Sequence, residues 1–209
     1  MSAIEIADRV VWVLGGVALG LVAGVFAARW PRLPTFANPT GGSPRSLILG
    51  AAFGLPAGVA ATLAVKSTDS AWLILTGAIL AYIGLVDLRR FSIPLFGLVL
   101  LAMSILPELI LSGEPVEGLA TGLVLALVLE TLRRLGGRQG LGAGDVVLAG
   151  LLGVLANWRL APLMIAAAAL APLTIQAVTR RRGPTPFGFW LCLAGVAVLT
   201  LQTIGFAQP

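Results

Sequence analysis

The chain has no histidine, a single cysteine and a single tyrosine in 209 residues, and only 11% of its residues are charged. Without histidine there is no Ser-His-Asp triad, no Cys-His dyad, no HExxH zinc site and no haem held by imidazole. The lone Cys192 excludes an internal disulfide and every paired-cysteine zinc site. It lies in an apolar run and reads as a small packing residue. Any acid–base chemistry therefore falls to carboxylates. The shortage of charge is as informative, because soluble domains carry about 25% charged residues.

Hydrophobic residues make up 58% of the chain, mean hydropathy is +0.99, and apolar runs approaching the length of a bilayer recur throughout. Such runs read as membrane spans rather than core helices. The expectation is an all-α, polytopic membrane protein of about eight transmembrane helices. The spans are expected at Val10–Ala28, Leu47–Val65, Ala71–Val86, Ile93–Leu111, Gly118–Leu132, Asp145–Trp158, Leu160–Val178 and Phe187–Phe206. The fifth and sixth are short for a bilayer about 30 Å thick, which suits helix ends in a wet, protein-lined region. The longest links, Arg29–Ser46 and Arg133–Gly144, are too small to fold alone. Residues 1–209 therefore read as a single membrane domain. The leader Met1–Arg9 holds Glu5, Asp8 and one basic residue, the reverse of a signal peptide's positive start. The first span is expected to be retained.

Eight spans place Arg29, Arg32, Arg45, Arg89, Arg90, Arg133, Arg134, Arg138, Arg180, Arg181 and Arg182 on one side. Only Arg9, Lys66 and Arg159 remain opposite. By the positive-inside rule both termini lie outside and the arginine-rich loops are cytoplasmic. The net charge of +5 and the pI of 11.0 then describe one membrane face, beside anionic lipid headgroups, rather than a nucleic-acid surface. Trp12, Trp30, Trp72, Trp158 and Trp190 fall near span ends, as an aromatic belt requires. Gly16, Gly20 and Gly24, then Gly50, Gly54 and Gly58, recur every four residues, a spacing that lets helix backbones approach closely. Pro56, Pro107, Pro162 and Pro172 lie inside spans and are expected to kink them.

Of the nine acidic residues, Glu5, Asp8, Asp69, Glu108, Glu114 and Glu117 sort to the outer face. Asp87, Glu130 and Asp145 belong to the cytoplasmic half. Asp87 ends the third span and Asp145 opens the sixth. Two complete spans separate them, so both emerge on the same side, although they are 58 positions apart. Plain structural roles also fit: Asp87 as an interfacial partner of Arg89 and Arg90, Asp145 as a helix cap. The contexts add to the functional reading. Gly142-Ala143-Gly144 leads into Asp145, and Pro94, beyond Asp87, helps set the start of the next helix.

These residues resemble the prepilin peptidases, or type IV leader peptidases, of the GxGD class of membrane aspartyl proteases. An aspartate followed six and seven residues later by an aliphatic residue and proline matches Asp87, Ile93 and Pro94. Gly-x-Gly-Asp matches Gly142, Gly144 and Asp145, and Pro-Phe-Gly opening the last span matches Pro186, Phe187 and Gly188. The exit of the first span, Arg32-Leu33-Pro34, also looks like the family's N-terminal segment. The resemblance runs over nearly the whole chain in order. It departs at Val147, where the family often has lysine, and at Leu95, where a polar residue is common. It also lacks the insert with paired CxxC cysteines that accompanies N-methylation in longer members.

The resemblance implies an inner-membrane endopeptidase with Asp87 and Asp145 as its catalytic pair, without methyltransferase activity. Gly142, Gly144, Ile93 and Pro94 would shape the site, and Glu130, Pro186, Phe187 and Gly188 are candidate substrate contacts. One carboxylate would activate water while the other, protonated, donates to the scissile amide. Two adjacent carboxyls share one proton and titrate as a unit. The implied substrate is a prepilin or pseudopilin helix with a short basic leader, cut at the cytoplasmic boundary; membrane lipid is the other expected partner. Neither a metal nor an organic cofactor is implied. Glu130 also fits as an i,i+4 partner of Arg134. Two rival classes stay open: a catalytically silent pilin-binding relative, told apart by aspartate variants, and a small cation- or proton-coupled transporter, told apart by proteoliposome flux.

Overall fold

A backbone in hydrocarbon has to satisfy its hydrogen bonds internally, and apolar stretches of this length do so as helices. The computed structural model describes residues 67–111, 115–136, 141–156, 158–179 and 185–203, and among these it is all helical. The helices are α1 (Ser67–Arg90), α2 (Leu95–Leu111), α3 (Pro115–Leu135), α4 (Ala143–Leu155), α5 (Ala161–Thr179) and α6 (Phe187–Thr203). They fall on the last six of the expected spans. The first two expected spans, with their glycine repeats and Pro56, lie outside the described residues. Three helices carry stretches long and apolar enough to cross a membrane: Trp72–Arg90, Pro115–Leu135 and Ala161–Val178. The stretches Leu95–Pro107, Ala143–Leu155 and Phe187–Gln202 are also apolar but shorter.

Two helices run longer than the sequence reading, each for a local reason. Helix α1 runs four residues past the expected Val86, so Asp87 sits within its last turn. Arg89 and Arg90 in that turn favour the negative end of the helix dipole and prolong the helix. Helix α3 has 21 residues and is not short. Pro115 starts it, and Glu130 paired with Arg133 and Arg134 keeps its last turns helical despite their charge. Pro107 and Pro172 do lie inside α2 and α5. Pro162, by contrast, occupies the first turn of α5, where its missing N–H removes no helix hydrogen bond.

Helices α1 and α2 run antiparallel, as do α3 and α4. The closest pair is α3 with α4; α6 packs between α1 and α5, and α4 also touches α2 and α6. The core between them holds Leu80, Ile83, Leu101, Leu148, Leu152 and Leu191, all less than 2% exposed. Trp72 Nε1 donates to the Ser104 carbonyl at 2.7 Å and ties the start of α1 to the end of α2. Gln202 Nε2 donates to the Leu155 carbonyl at 3.2 Å, tying the ends of α6 and α4. Both ties lie at the end of the bundle away from Asp87. Arg159, whose guanidinium lies 5.6 Å from the centroid of the Trp158 ring, follows α4 at that end.

The α3–α4 contact is built on small residues. A Cβ at Gly122 would meet the Gly150 carbonyl oxygen at 2.5 Å and Val154 Cγ2 at 2.6 Å, and one at Gly153 would meet Gly122 Cα at 2.9 Å. Gly118 and Gly122 thus form the same four-residue glycine spacing that was noted in the N-terminal spans. Gly122→Val forces these backbones apart. We expect it to cost about 2–3 kcal/mol, by analogy with overpacked cores. Thermal unfolding of the detergent-solubilised protein would register this as a clear fall in Tm.

Candidate active site

Three chain segments meet at one end of the bundle: the last turn of α1, the first turn of α4 and the first turn of α6. Asp87, on α1, is 4% exposed. Its Oδ2 accepts a hydrogen bond from the Phe189 N–H at 3.0 Å, and the Gly188 backbone is a second hydrogen-bonding neighbour. The N–H groups at the start of α6, which have no partner within the first helical turn, therefore hold this carboxylate across 102 positions of sequence.

Asp145 is the third residue of α4. Its Oδ2 accepts from the Gly142 N–H at 2.8 Å, a capping contact that fixes the start of the helix. The plain capping role thus occupies one oxygen only. The other, Oδ1, turns toward Gly188 and Asp87. A Cβ built on Gly188 would stand 2.9 Å from Asp87 Oδ2 and 3.1 Å from Asp145 Oδ1. Those two oxygens can therefore be no more than 6.0 Å apart, the sum of the two distances. Residues from helices two spans apart have converged on one point.

The glycines and Ile93 make the convergence possible. The same imagined Gly188 Cβ would meet Ile93 Cδ1 at 2.9 Å, and a Cβ at Gly144 would meet Ile93 Cβ at 2.9 Å. Ile93 is the wedge against which both glycine-bearing helix starts close. Pro94 follows it at the head of α2, its carbonyl accepting from the Leu98 N–H at 3.2 Å. Between Asp87 and Ile93 the chain turns through Phe91, whose φ of 52° is left-handed. For a bulky aromatic residue that conformation costs on the order of 1 kcal/mol or more. The strain lies in the link that joins the Asp87 carrier to its wedge, and no residue type signals it, since Phe does not favour this region.

Pro186 and Phe187, half-buried, lead directly into the turn that holds Asp87. Gly188 sits between the two carboxyls. Glu130 stands at the same end of the bundle but is turned to its own helix. Arg133 donates to both of its oxygens at 2.7 and 2.8 Å, and Arg134 Nε donates at 2.8 Å. Val147 and Leu95 are both exposed, at 49% and 76%, so neither belongs to the packed ring around the aspartates. Cys192, one turn beyond Gly188 on α6, is fully buried behind the site. Among the described residues no group of three or more His, Cys, Asp or Glu side chains is placed to hold a metal ion.

A prepilin leader peptidase/N-methyltransferase of Dickeya chrysanthemi is 33% identical to this chain over 99 residues. The chain is similar to a prepilin peptidase. The match takes in 44% of this chain and 35% of the relative, so the chain spans about a third of the length of the curated relative it matches. No protein-family model matches the chain, and no solved structure does.

Proposed function

We propose that this chain is a membrane aspartyl endopeptidase that removes the short leader of a prepilin- or pseudopilin-like protein. One observation carries the reading: carboxylate oxygens of Asp87 and Asp145 lie 2.9 and 3.1 Å from a single point beside Gly188. The partial likeness to a prepilin leader peptidase supports the same class of reaction. In this mechanism the ionised carboxylate takes a proton from a water held between the pair. The water oxygen bonds to the scissile carbonyl carbon while the protonated carboxyl donates to the carbonyl oxygen. Collapse breaks the C–N bond: the proton gained by the first carboxyl passes to the leaving amine, and a hydroxyl of the tetrahedral diol returns its proton to the second carboxylate as the new carboxyl C=O forms. The pair ends as it began, with one proton between two carboxyls.

On this reading the site stands at the cytoplasmic boundary of the inner membrane, where a leader meets the hydrophobic helix that follows it. The test is leader cleavage in membranes. A pilin-like substrate is co-expressed with wild type, Asp87→Ala and Asp145→Ala, and its mass is followed. We expect wild type to shorten the substrate by its leader and both equally expressed variants to leave it whole. Cleavage that survives either substitution would reject the pair.

A further inference from the structure

The link between α1 and α2 holds an aromatic residue where folding asks for none. Phe91 has a φ of 52°, and its N–H donates to the Asp87 carbonyl at 2.8 Å. This is the left-handed stop of a helix, where glycine is the usual residue because it has no Cβ to strain. The stop itself is needed. It ends α1 one turn after Asp87 and turns the chain, so that Ile93, two residues on, reaches Gly144 and Gly188. Glycine or asparagine would make the same stop at lower cost. Nor does burial offset the strain: Leu88 and Ile93, on either side, pack against the core, whereas Phe91 stands 56% exposed. Strained backbone persists where something else requires it, and such positions cluster at active sites and ligand contacts.

We propose that the Phe91 ring is a substrate contact of the peptidase, packing against the apolar segment beside the scissile bond. The proposal rests on the peptidase reading above and adds a residue to its site. The backbone of Phe91 is hydrogen-bonded to that of Asp87, and its ring is exposed, so a segment bound across the aspartates passes beside it. A phenyl ring offers neither charge nor a hydrogen-bonding group, so what it takes is apolar. Lipid would be met equally well from Ser92, the next residue, which is also exposed and has no left-handed backbone. Contact with hydrocarbon therefore gives no reason for an aromatic at the left-handed position. A substrate held at one fixed cleavage point does.

The test is steady-state cleavage of a pilin-like substrate by the full-length protein, in nonionic detergent and again in phosphatidylethanolamine–phosphatidylglycerol vesicles. Phe91→Asn and Phe91→Gly keep the left-handed stop and remove the ring. Both are expected to raise KM about tenfold with kcat within about twofold, because a contact made alike in ground and transition states sets binding rather than rate. Their unfolding temperature should be held or raised, since the strain is relieved. Phe91→Tyr keeps a ring and should hold KM within about twofold of wild type. Wild-type KM in the asparagine and glycine variants overturns the proposal and leaves Phe91 a strained helix stop alone. A loss confined to kcat also overturns it, placing the effect in the position of Asp87. A loss seen in vesicles but not in detergent does so as well, and makes the ring a lipid anchor. All three results leave the peptidase reading standing. If wild type leaves the substrate uncut, the peptidase reading falls and this contact falls with it.

Discussion

On the peptidase activity we propose, Asp87→Asn and Asp145→Asn are each expected to reduce leader cleavage by about 10³-fold or more, with the double variant no slower than the slower single one. The magnitude is that of losing a general acid or base held in place, which is worth roughly 10² to 10⁴ in rate. The lack of additivity follows because the two groups act on one water and one carbonyl; once either is lost, the other has no step to perform. The structure makes asparagine the informative replacement. Its side-chain carbonyl can still accept from the Gly142 N–H at position 145, or from the Phe189 N–H at position 87. The helix starts therefore keep their anchors while the shared proton is lost. Thermal unfolding of each variant near the wild-type temperature, alongside absent cleavage, is the expected pair of results. A single asparagine variant retaining a tenth of the wild-type rate would exclude the dyad. The wild-type rate should also pass through a single pH window, since only the singly protonated pair has both a base and an acid.

The sequence announced the convergence of Asp87 and Asp145 through topology, because an even number of intervening spans returns the chain to the same side. Motif order did the rest for Ile93, Gly144 and Gly188, although not their reason. Hydropathy placed the last six helices to within a few residues and erred where charge and hydropathy part company. The Asp87–Arg90 turn and the Glu130–Arg134 turn are polar, so a hydropathy reading ends the spans there. Dipole compensation and i,i+4 pairing keep them helical. Glu130's engagement was visible in its spacing to Arg134; the second partner, Arg133, adds the bidentate contact that spacing alone does not specify. Gly118 and Gly122, which pack against Gly150 and Val154 of α4, carry the same spacing as the N-terminal glycine repeats, but a single pair does not stand out in the sequence. Phe91 left no trace, since a left-handed φ at an aromatic residue is imposed by what lies on either side of it.

Gly188→Ala is expected to separate function from stability. Residue 188 lies in the first turn of α6, where alanine is the better helix former by up to about 1 kcal/mol. On propensity alone the variant is as stable as wild type or slightly more so. Its new methyl group, however, would stand 2.9 Å from Asp87 Oδ2 and from Ile93 Cδ1, and 3.1 Å from Asp145 Oδ1. The first two distances are shorter than real side-chain contacts allow, so something has to move. Ile93 is wedged against Gly144 and yields little. The carboxyls are side-chain ends held by backbone N–H contacts, and they yield first, spreading by a few tenths of an ångström and losing room for the water between them. Misplacement of reacting groups on that scale costs up to about 10²-fold in rate. We therefore expect cleavage to fall by about 30- to 100-fold, with the loss in kcat, while the unfolding temperature is held or raised. Loss of both activity and stability would mean that the methyl group had opened the α1–α6 contact instead. Full activity would place the reacting water elsewhere than beside Gly188, and with it the centre of the site.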